Sequence, residues 1–239
     1  MNVVVSIGGS VLAPDLEPER ITAHATAIEE LMADGSAVGA VVGGGRVARE
    51  YIDAARSLDA NEIYLDQIGI DVTRLNARLL IAALGDRTMP APALTYEEGA
   101  EHLRQSNVCV MGGVAPAQTT DAVSAALAEY VDADLLVYAT SVSGVYDADP
   151  NEDDGAAKYD SLTPSELVGV IAGMEMNAGS SAPVDLLAAK IIQRADLRSI
   201  VLDGTDPSRI VDAVRDGTHE GTDVVPPNGD AELEHWIDQ

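Results

Sequence analysis

Three apolar runs in this chain each break into glycines, and that repetition constrains the fold more than any other feature. "NVVVSIGG" (2–9), "AVGAVVGGG" (37–45) and "VCVMGG" (108–113) read as buried strands, because β-branched residues favour pleated backbone. They run into Gly8-Gly9, Gly43-Gly44-Gly45 and Gly112-Gly113. "DLLVYAT" (134–140) and "RSIVLDG" (198–204) are further strands. Between the strands, helical spacing covers 18–34, 46–58, 62–84, 120–130, 163–173 and 184–195, with Ile68, Val72, Leu75 and Leu79 on one face of the long helix. Buried strands separated by helices predict an α/β fold, a three-layer αβα sandwich around a mostly parallel central sheet. Ligands of such sheets sit at the carboxyl ends of the strands. Three glycine loops at that edge point to an extended ligand lying along it.

The chemistry of the loops favours phosphate. Backbone amides at a helix N-terminus attract anions, and glycine allows close approach. "GGGRVARE" puts Arg46 and Arg49 in the first helical turn, the wrong sign for the helix dipole unless an anion binds there. The stretch GxxxxGK followed by Ser or Thr is missing, as is GxGxxG. His24, His102, His219 and His235 show no ligand spacing and are expected on the surface. No Ser/His/Asp set is visible, so phosphoryl transfer by positioning and charge neutralisation fits better than nucleophilic catalysis. In "APAQTTDAV", Thr119 or Thr120 caps a helix with Asp121 in its first turn; on its own this stretch is equally a plain helix cap.

Composition narrows the partners. The chain has 239 residues and a formal net charge of -26, which argues against nucleic acid and anionic membranes. Lys158 and Lys190 are its only lysines, the other basic residues being arginine, and it has no Phe. Such an acidic, lysine-poor coat resembles proteins of salt-loaded cytoplasm, where ions screen self-repulsion. A salt requirement for folding is therefore expected. Cys109 is alone, in an apolar run, so it reads as a core residue; a disulfide framework is excluded. No signal peptide and no apolar run near 18 residues is seen, so a cytoplasmic location is expected. One domain is expected over 1–227. Residues 147–161 read as a mobile acidic connection. The acidic tail 228–239, which holds Trp236, reads as an appendage, disordered or docked on a neighbour.

Taken in order, "IGGSVL", "VVGGGRVAREY", "DQIGIDVTRLNARLLIAAL", "VMGGVAPAQTTDAV", "SGVYDADP" and "AGSSAPVDLLAAKII" resemble the motifs of archaeal-type uridylate (UMP) kinases of the amino acid kinase superfamily. The resemblance covers residues 1 to about 226. It implies an amino acid kinase-like fold and transfer of the γ-phosphate of ATP to UMP, with Mg2+ accompanying ATP and no metal site of the protein's own. It also implies a homohexamer. Gly9 and Ser10 would touch the ATP phosphates, Gly45 and Arg49 would lie on the ATP side, and Thr140, Tyr146 and Asp149 would surround the ATP base and ribose. Gly44 would contact UMP and Asp66 would hold its ribose hydroxyls. Val114, Ala115, Pro116, Ala117, Gln118, Thr119 and Thr120 would enclose its uridine and phosphate. Asp121 would orient the charged groups, and Lys190 would reach the transferred phosphoryl group.

The chain departs from the pattern at Ser6, where many superfamily members carry lysine, and at Ser141 and Ser143, where Asn and Asp are usual. The positive charge missing at Ser6 would then come from Lys190, from the arginines after Gly45 and from the magnesium. Competing readings are a kinase for isopentenyl phosphate, acetylglutamate or carbamate, and a nucleotide-binding storage protein of the molybdenum-storage type.

Overall fold

Five of the strands alternate residues between two apolar layers, which is what a parallel sheet covered on both faces demands. The computed structural model describes residues 1–150, 153, 155–175, 183–227 and 236. They form a seven-stranded sheet of β1 (Asn2–Ile7), β2 (Ala37–Val42), β3 (Val108–Met111), β4 (Leu135–Thr140), β5 (Ser161–Leu162), β6 (Ser199–Asp203) and β7 (Thr222–Val224), in the order β3-β2-β1-β4-β6-β7-β5. All neighbours are parallel except β6 and β7. The register sets Val3 against Val38 and Leu135, and Ile7 against Val42 and Ala139. β1 is central: the chain builds β2 and β3 on one side, then crosses to β4 on the other. Its carboxyl end is thus the switch point where α/β sheets open a crevice.

The helices are α1 (Gly9–Leu12), α2 (Pro18–Ala33), α3 (Gly45–Arg56), α4 (Glu62–Leu84), α5 (Tyr96–Ser106), α6 (Thr120–Tyr130), α7 (Pro164–Glu175), α8 (Leu186–Ala195) and α9 (Ser208–Asp216). Val3, Val5 and Ile7 face one layer, with Leu31 of α2, Leu80 of α4 and Val214 of α9. Val4 faces the other, with Leu127 of α6, Leu167 of α7 and Ile192 of α8. This is the expected three-layer αβα sandwich. Cys109 is buried as expected, and burial pushes its thiol up to about 12.

Several expectations are corrected. On α4, Leu75 and Leu79 are exposed, and the buried face carries Val72, Thr73, Asn76, Ala77 and Leu80 instead. The α5 segment was not anticipated, since its polar sequence hides the apolar stripe. It is capped by Thr95, which accepts from Glu98 N, while the Glu98 carboxylate accepts from Leu94 N. The last helix, α9, also went unread, although Ile210, Val211, Ala213 and Val214 mark one face before Gly217.

His24 is not on the surface. It is 1% exposed, with ring nitrogens 3.0 Å and 3.2 Å from the carbonyls of Arg20 and Gly204, and burial holds it below the usual histidine range. The His219 ring is also enclosed, 3.4 Å from Asp223, and one ring nitrogen of His102 is buried without a partner. His235 lies outside the described residues. Of the connection 147–161, residues 151, 152 and 154 lie outside the described residues; at its described ends Asp147 N donates to Ala157 O at 3.1 Å and Tyr159 N to Val145 O at 2.9 Å. In the tail, Trp236 docks on its own chain. Its indole N–H donates to Val214 O at 3.0 Å and the Arg198 guanidinium sits 4.9 Å from its ring.

Candidate active site

At the carboxyl end of β1 the sheet's own hydrogen bonding continues into the loops. Gly43 N donates to Ile7 O at 2.9 Å and Gly8 N to Ala139 O at 3.0 Å. The first two glycine loops then interlock: a Cβ on Gly9 would lie 2.2 Å from Gly45 N and 2.5 Å from Gly43 O. Gly45 has φ +63, the left-handed region that glycine enters without strain, and it turns the chain directly into α3. Beside these loops lies a cleft of about 350 Å³.

Its lining includes Gly9, Ser10, Gly45, Arg49, Thr140, Tyr146 and Asp149, together with Gly44, Thr120 and Asp121. Arg49 lines the cleft from the start of the second turn of α3 and makes no ion pair among the described residues. Arg46 does not line it; it is engaged with Asp15 and, at 2.8 Å, with Glu50. On the far wall the Ser143 and Tyr146 hydroxyls are 2.7 Å apart, and Thr140 Oγ1 donates to Val142 O at 2.9 Å.

Asp121 sits at the base of the cleft. Thr119, not Thr120, caps α6, accepting from Ala122 N at 3.1 Å, and so sets Asp121 in the first turn. Ser6 Oγ donates to Asp121 Oδ1 at 3.3 Å, and Tyr138 OH donates to the Asp121 carbonyl at 3.0 Å. Burial, with the nearby Asp185 charge, pushes the Asp121 carboxyl up to about 7. The same burial, with both carboxylates, holds the Tyr138 phenol well above its usual range. Asp185 was missed by the sequence reading. It caps α8, accepting from Ala188 N at 3.0 Å, and it accepts from the Thr119 hydroxyl. Its signal was available, because an aspartate directly before a helical run is a cap.

The loop 112–119 lies beside the cleft and is held by α4. Gly113 N donates to Thr73 Oγ1 at 2.7 Å, and the Arg74 guanidinium donates to Gly113 O at 3.1 Å. Ala117 N donates to Asp66 Oδ2 at 2.8 Å. Asp66 and the Val114–Thr119 stretch are therefore together, although they are not in the lining of the cleft. Lys190 is not brought to the site. It is exposed, with Nζ 3.2 Å from Gln193 Oε1. The reason is helical phase: Ala188 and Ile192 turn into the core, and Lys190 stands about 200° from each around α8.

The amino acid kinase family model matches residues 1–203. The chain is 65% identical over 238 residues to a uridylate kinase from Halobacterium salinarum, covering 100% of this chain and 99% of that protein. It is 62% identical over 237 residues to a uridylate kinase from Haloquadratum walsbyi, covering 99% of this chain and 98% of the relative.

This chain belongs to the amino acid kinase family, within its archaeal uridylate kinases.

A crystal structure of the uridylate kinase from Archaeoglobus fulgidus superimposes with a TM-score of 0.84 at 45% identity, covering 94% of this chain and 100% of that one. Membership fits the cleft, because kinases of this kind need a phosphate cradle rather than a nucleophile. A divalent ion that binds mainly through substrate phosphates needs only one or two protein carboxylates, and Asp121, which lines the cleft, can supply one. No group of three or more candidate ligands occurs among the described residues. None of their helices is long and apolar enough to cross a membrane.

Proposed function

We propose that the cleft transfers the γ-phosphoryl group of ATP to UMP, giving ADP and UDP. The observation that carries this reading is the meeting of interlocked glycine loops, Arg49 and Asp121 at one strand-end cleft, beside an Asp66-held loop. The full-length likeness to uridylate kinases supports UMP as the acceptor.

ATP lies against the wall formed by Thr140, Tyr146 and Asp149, with its phosphates over the amides of Gly9, Ser10 and Gly45. Arg49 faces those phosphates and offsets their charge. UMP occupies the side bounded by Gly44 and by the loop from Val114 to Thr120. Asp66 Oδ1 has no protein partner among the described residues and is free to accept from ribose hydroxyls. Asp121, whose carboxyl burial and the Asp185 charge push up to about 7, would in its ionised form help hold the magnesium that accompanies ATP. Mg2+ bound with ATP supplies further neutralisation of the phosphate oxygens. Lys190 has no part in this arrangement, so it no longer weighs against a storage role; likeness to named kinases does.

The working unit spans 1–227 with 228–239 as a tail, in the cytoplasm. It assembles with copies of itself, up to a hexamer, through the apolar residues that α3 and α4 expose, Tyr51, Ile63, Tyr64 and Leu75. Incubation with ATP, magnesium and a panel of UMP, dUMP, acetylglutamate, carbamate and isopentenyl phosphate tests the chemistry. UDP as the dominant product is expected; preference for another acceptor contradicts it.

A further inference from the structure

Helix α4 contributes no residue to the lining of the cleft, yet it grips two of the loops that form the site. Asn76, only 3% exposed, donates through Nδ2 to Gly43 O at 2.9 Å and Gly44 O at 3.2 Å. Thr73, 6% exposed, accepts from Gly113 N at 2.7 Å while its own hydroxyl donates to Ile70 O at 2.7 Å. One helical turn separates the two side chains, so both stand on the same face. The loops seat directly on that face. A Cβ on Gly44 would lie 3.5 Å from Thr73 Cγ2, and one on Gly112 would lie 2.6 Å from Thr73 Oγ1.

The bonds set direction as well as distance. In a trans peptide the C=O and the next N–H point opposite ways. Drawing the carbonyls of Gly43 and Gly44 toward Asn76 therefore turns the amides of Gly44 and Gly45 away from α4. Gly9, at the mouth of the cleft, packs against Gly45 N. An amide group carries two N–H donors on one nitrogen, so Asn76 serves both carbonyls, which neither a hydroxyl nor an ionised carboxylate can do.

We infer that Asn76 and Thr73 are positioning residues for phosphoryl transfer: one turn of α4 fixes the spacing between the Gly43–Gly45 loop and the Gly112–Gly113 loop, and so the approach of acceptor to donor. Neither side chain touches substrate. The inference rests on the cleft being the ATP–UMP site. Transfer needs the reacting atoms within about 3.5 Å, and a misplacement of roughly 1 Å costs on the order of a hundredfold.

Steady-state kinetics with ATP, magnesium and UMP, with thermal melting in parallel, tests this on five variants. Asn76→Asp is nearly isosteric but aims an acceptor at two carbonyls. It is expected to lower kcat on the order of a hundredfold. Its ratio to native should recover as pH falls, because a protonated carboxyl regains one donor. Asn76→Ala removes the donors without repulsion and is expected to lose about tenfold. Thr73→Val leaves Gly113 N unpaired and should raise the KM for UMP about tenfold, whereas Thr73→Ser should stay near native. Leu80→Ala, a fully buried change on the same helix, should lower the melting temperature but keep the native kcat below the transition.

Near-native kcat in both Asn76 variants overturns the inference. So does an Asn76→Asp defect indifferent to pH, Thr73→Ser behaving like Thr73→Val, or an equal kcat loss in Leu80→Ala. A native protein that makes no UDP overturns the reading of the cleft and the inference together. An active native protein with unaffected Asn76 and Thr73 variants overturns the inference alone.

Discussion

On the side of the cleft that we assign to the donor ATP, Gly8 and Gly43 hang from strand ends by bonds between backbone groups, Gly8 to Ala139 and Gly43 to Ile7. On the side that we assign to the acceptor UMP, the loop 112–119 hangs from side chains of one helix, Thr73, Arg74 and Asp66. A loop that continues a sheet takes its place first from the ladder, and here one side chain, Asn76, adds a grip on Gly43 O and Gly44 O. Such a loop fails through crowding, where glycine is replaced. A loop held by side chains from 39 and 51 residues away fails when one of those side chains is lost. The Gly8–Gly9 turn should therefore be sensitive chiefly to its glycines, while the loops held by Asn76, Thr73 and Asp66 respond to single residues far along the chain.

The strongest challenge to this contrast is Gly9→Ala. Its Cβ would press on backbone 2.2 Å away, so the interlocked loops must separate. Activity is expected to fall by more than about a hundredfold. Gly169→Ala, in open space within α7, should leave activity intact and raise the melting temperature. Second in size is Arg49→Ala, the cationic side chain in the lining of the cleft. It should lower kcat by roughly a hundredfold, as loss of a charge-stabilising group does. Near-native turnover would show that the phosphates lie elsewhere.

Next comes Asp66→Ala on the acceptor side. It should weaken UMP by about 1–3 kcal/mol and leave the KM for ATP unchanged. Because dUMP lacks a ribose hydroxyl, the native preference for UMP over dUMP should narrow in this variant. A preference that stays as wide removes Asp66 from the sugar.

A smaller effect concerns pH. Asp121 is held near 7, above its ordinary 3.8, so the folded state binds the proton more tightly than the unfolded chain. That contribution to stability is complete below about 3.8 and disappears as pH rises through about 7. Denaturant unfolding of native protein and Asp121→Asn, compared at pH 5 and pH 8 in equal salt, should show the native protein losing more stability. Parallel losses would mean that Asp121 does not titrate in this window. The smallest effect belongs to Lys190→Ala, which should leave kcat within about twofold, since the side chain faces solvent.

What the sequence made legible follows the same division. The glycine loops were readable because glycines at strand ends carry their own meaning, and Gly9, Gly45 and Arg49 line the cleft; Thr140, Tyr146 and Asp149, which also line it, were implied only by the family resemblance. The grip of α4 was not readable. Thr73, Arg74 and Asn76 look like ordinary helix residues until tertiary packing brings loops beside them, and no local pattern encodes partners about 40 residues away. Lys190 failed for a different reason. Its scarcity suggested importance, but the apolar spacing of Ala188, Ala189 and Ile192 already placed it on the outer face of α8. Burial of His24 was likewise hidden, because its partners are carbonyls of Arg20 and of distant Gly204.

That the ATP and UMP sides rest on different residues is tested most directly by calorimetric titration of native protein, Arg49→Ala and Asp66→Ala with UMP and with a non-hydrolysable ATP analogue plus magnesium. Arg49→Ala should weaken the ATP analogue and leave UMP binding at its native value, and Asp66→Ala should do the reverse. Equal weakening of both ligands by either variant, or an exchange of the two effects, would contradict the assignment of the two sides.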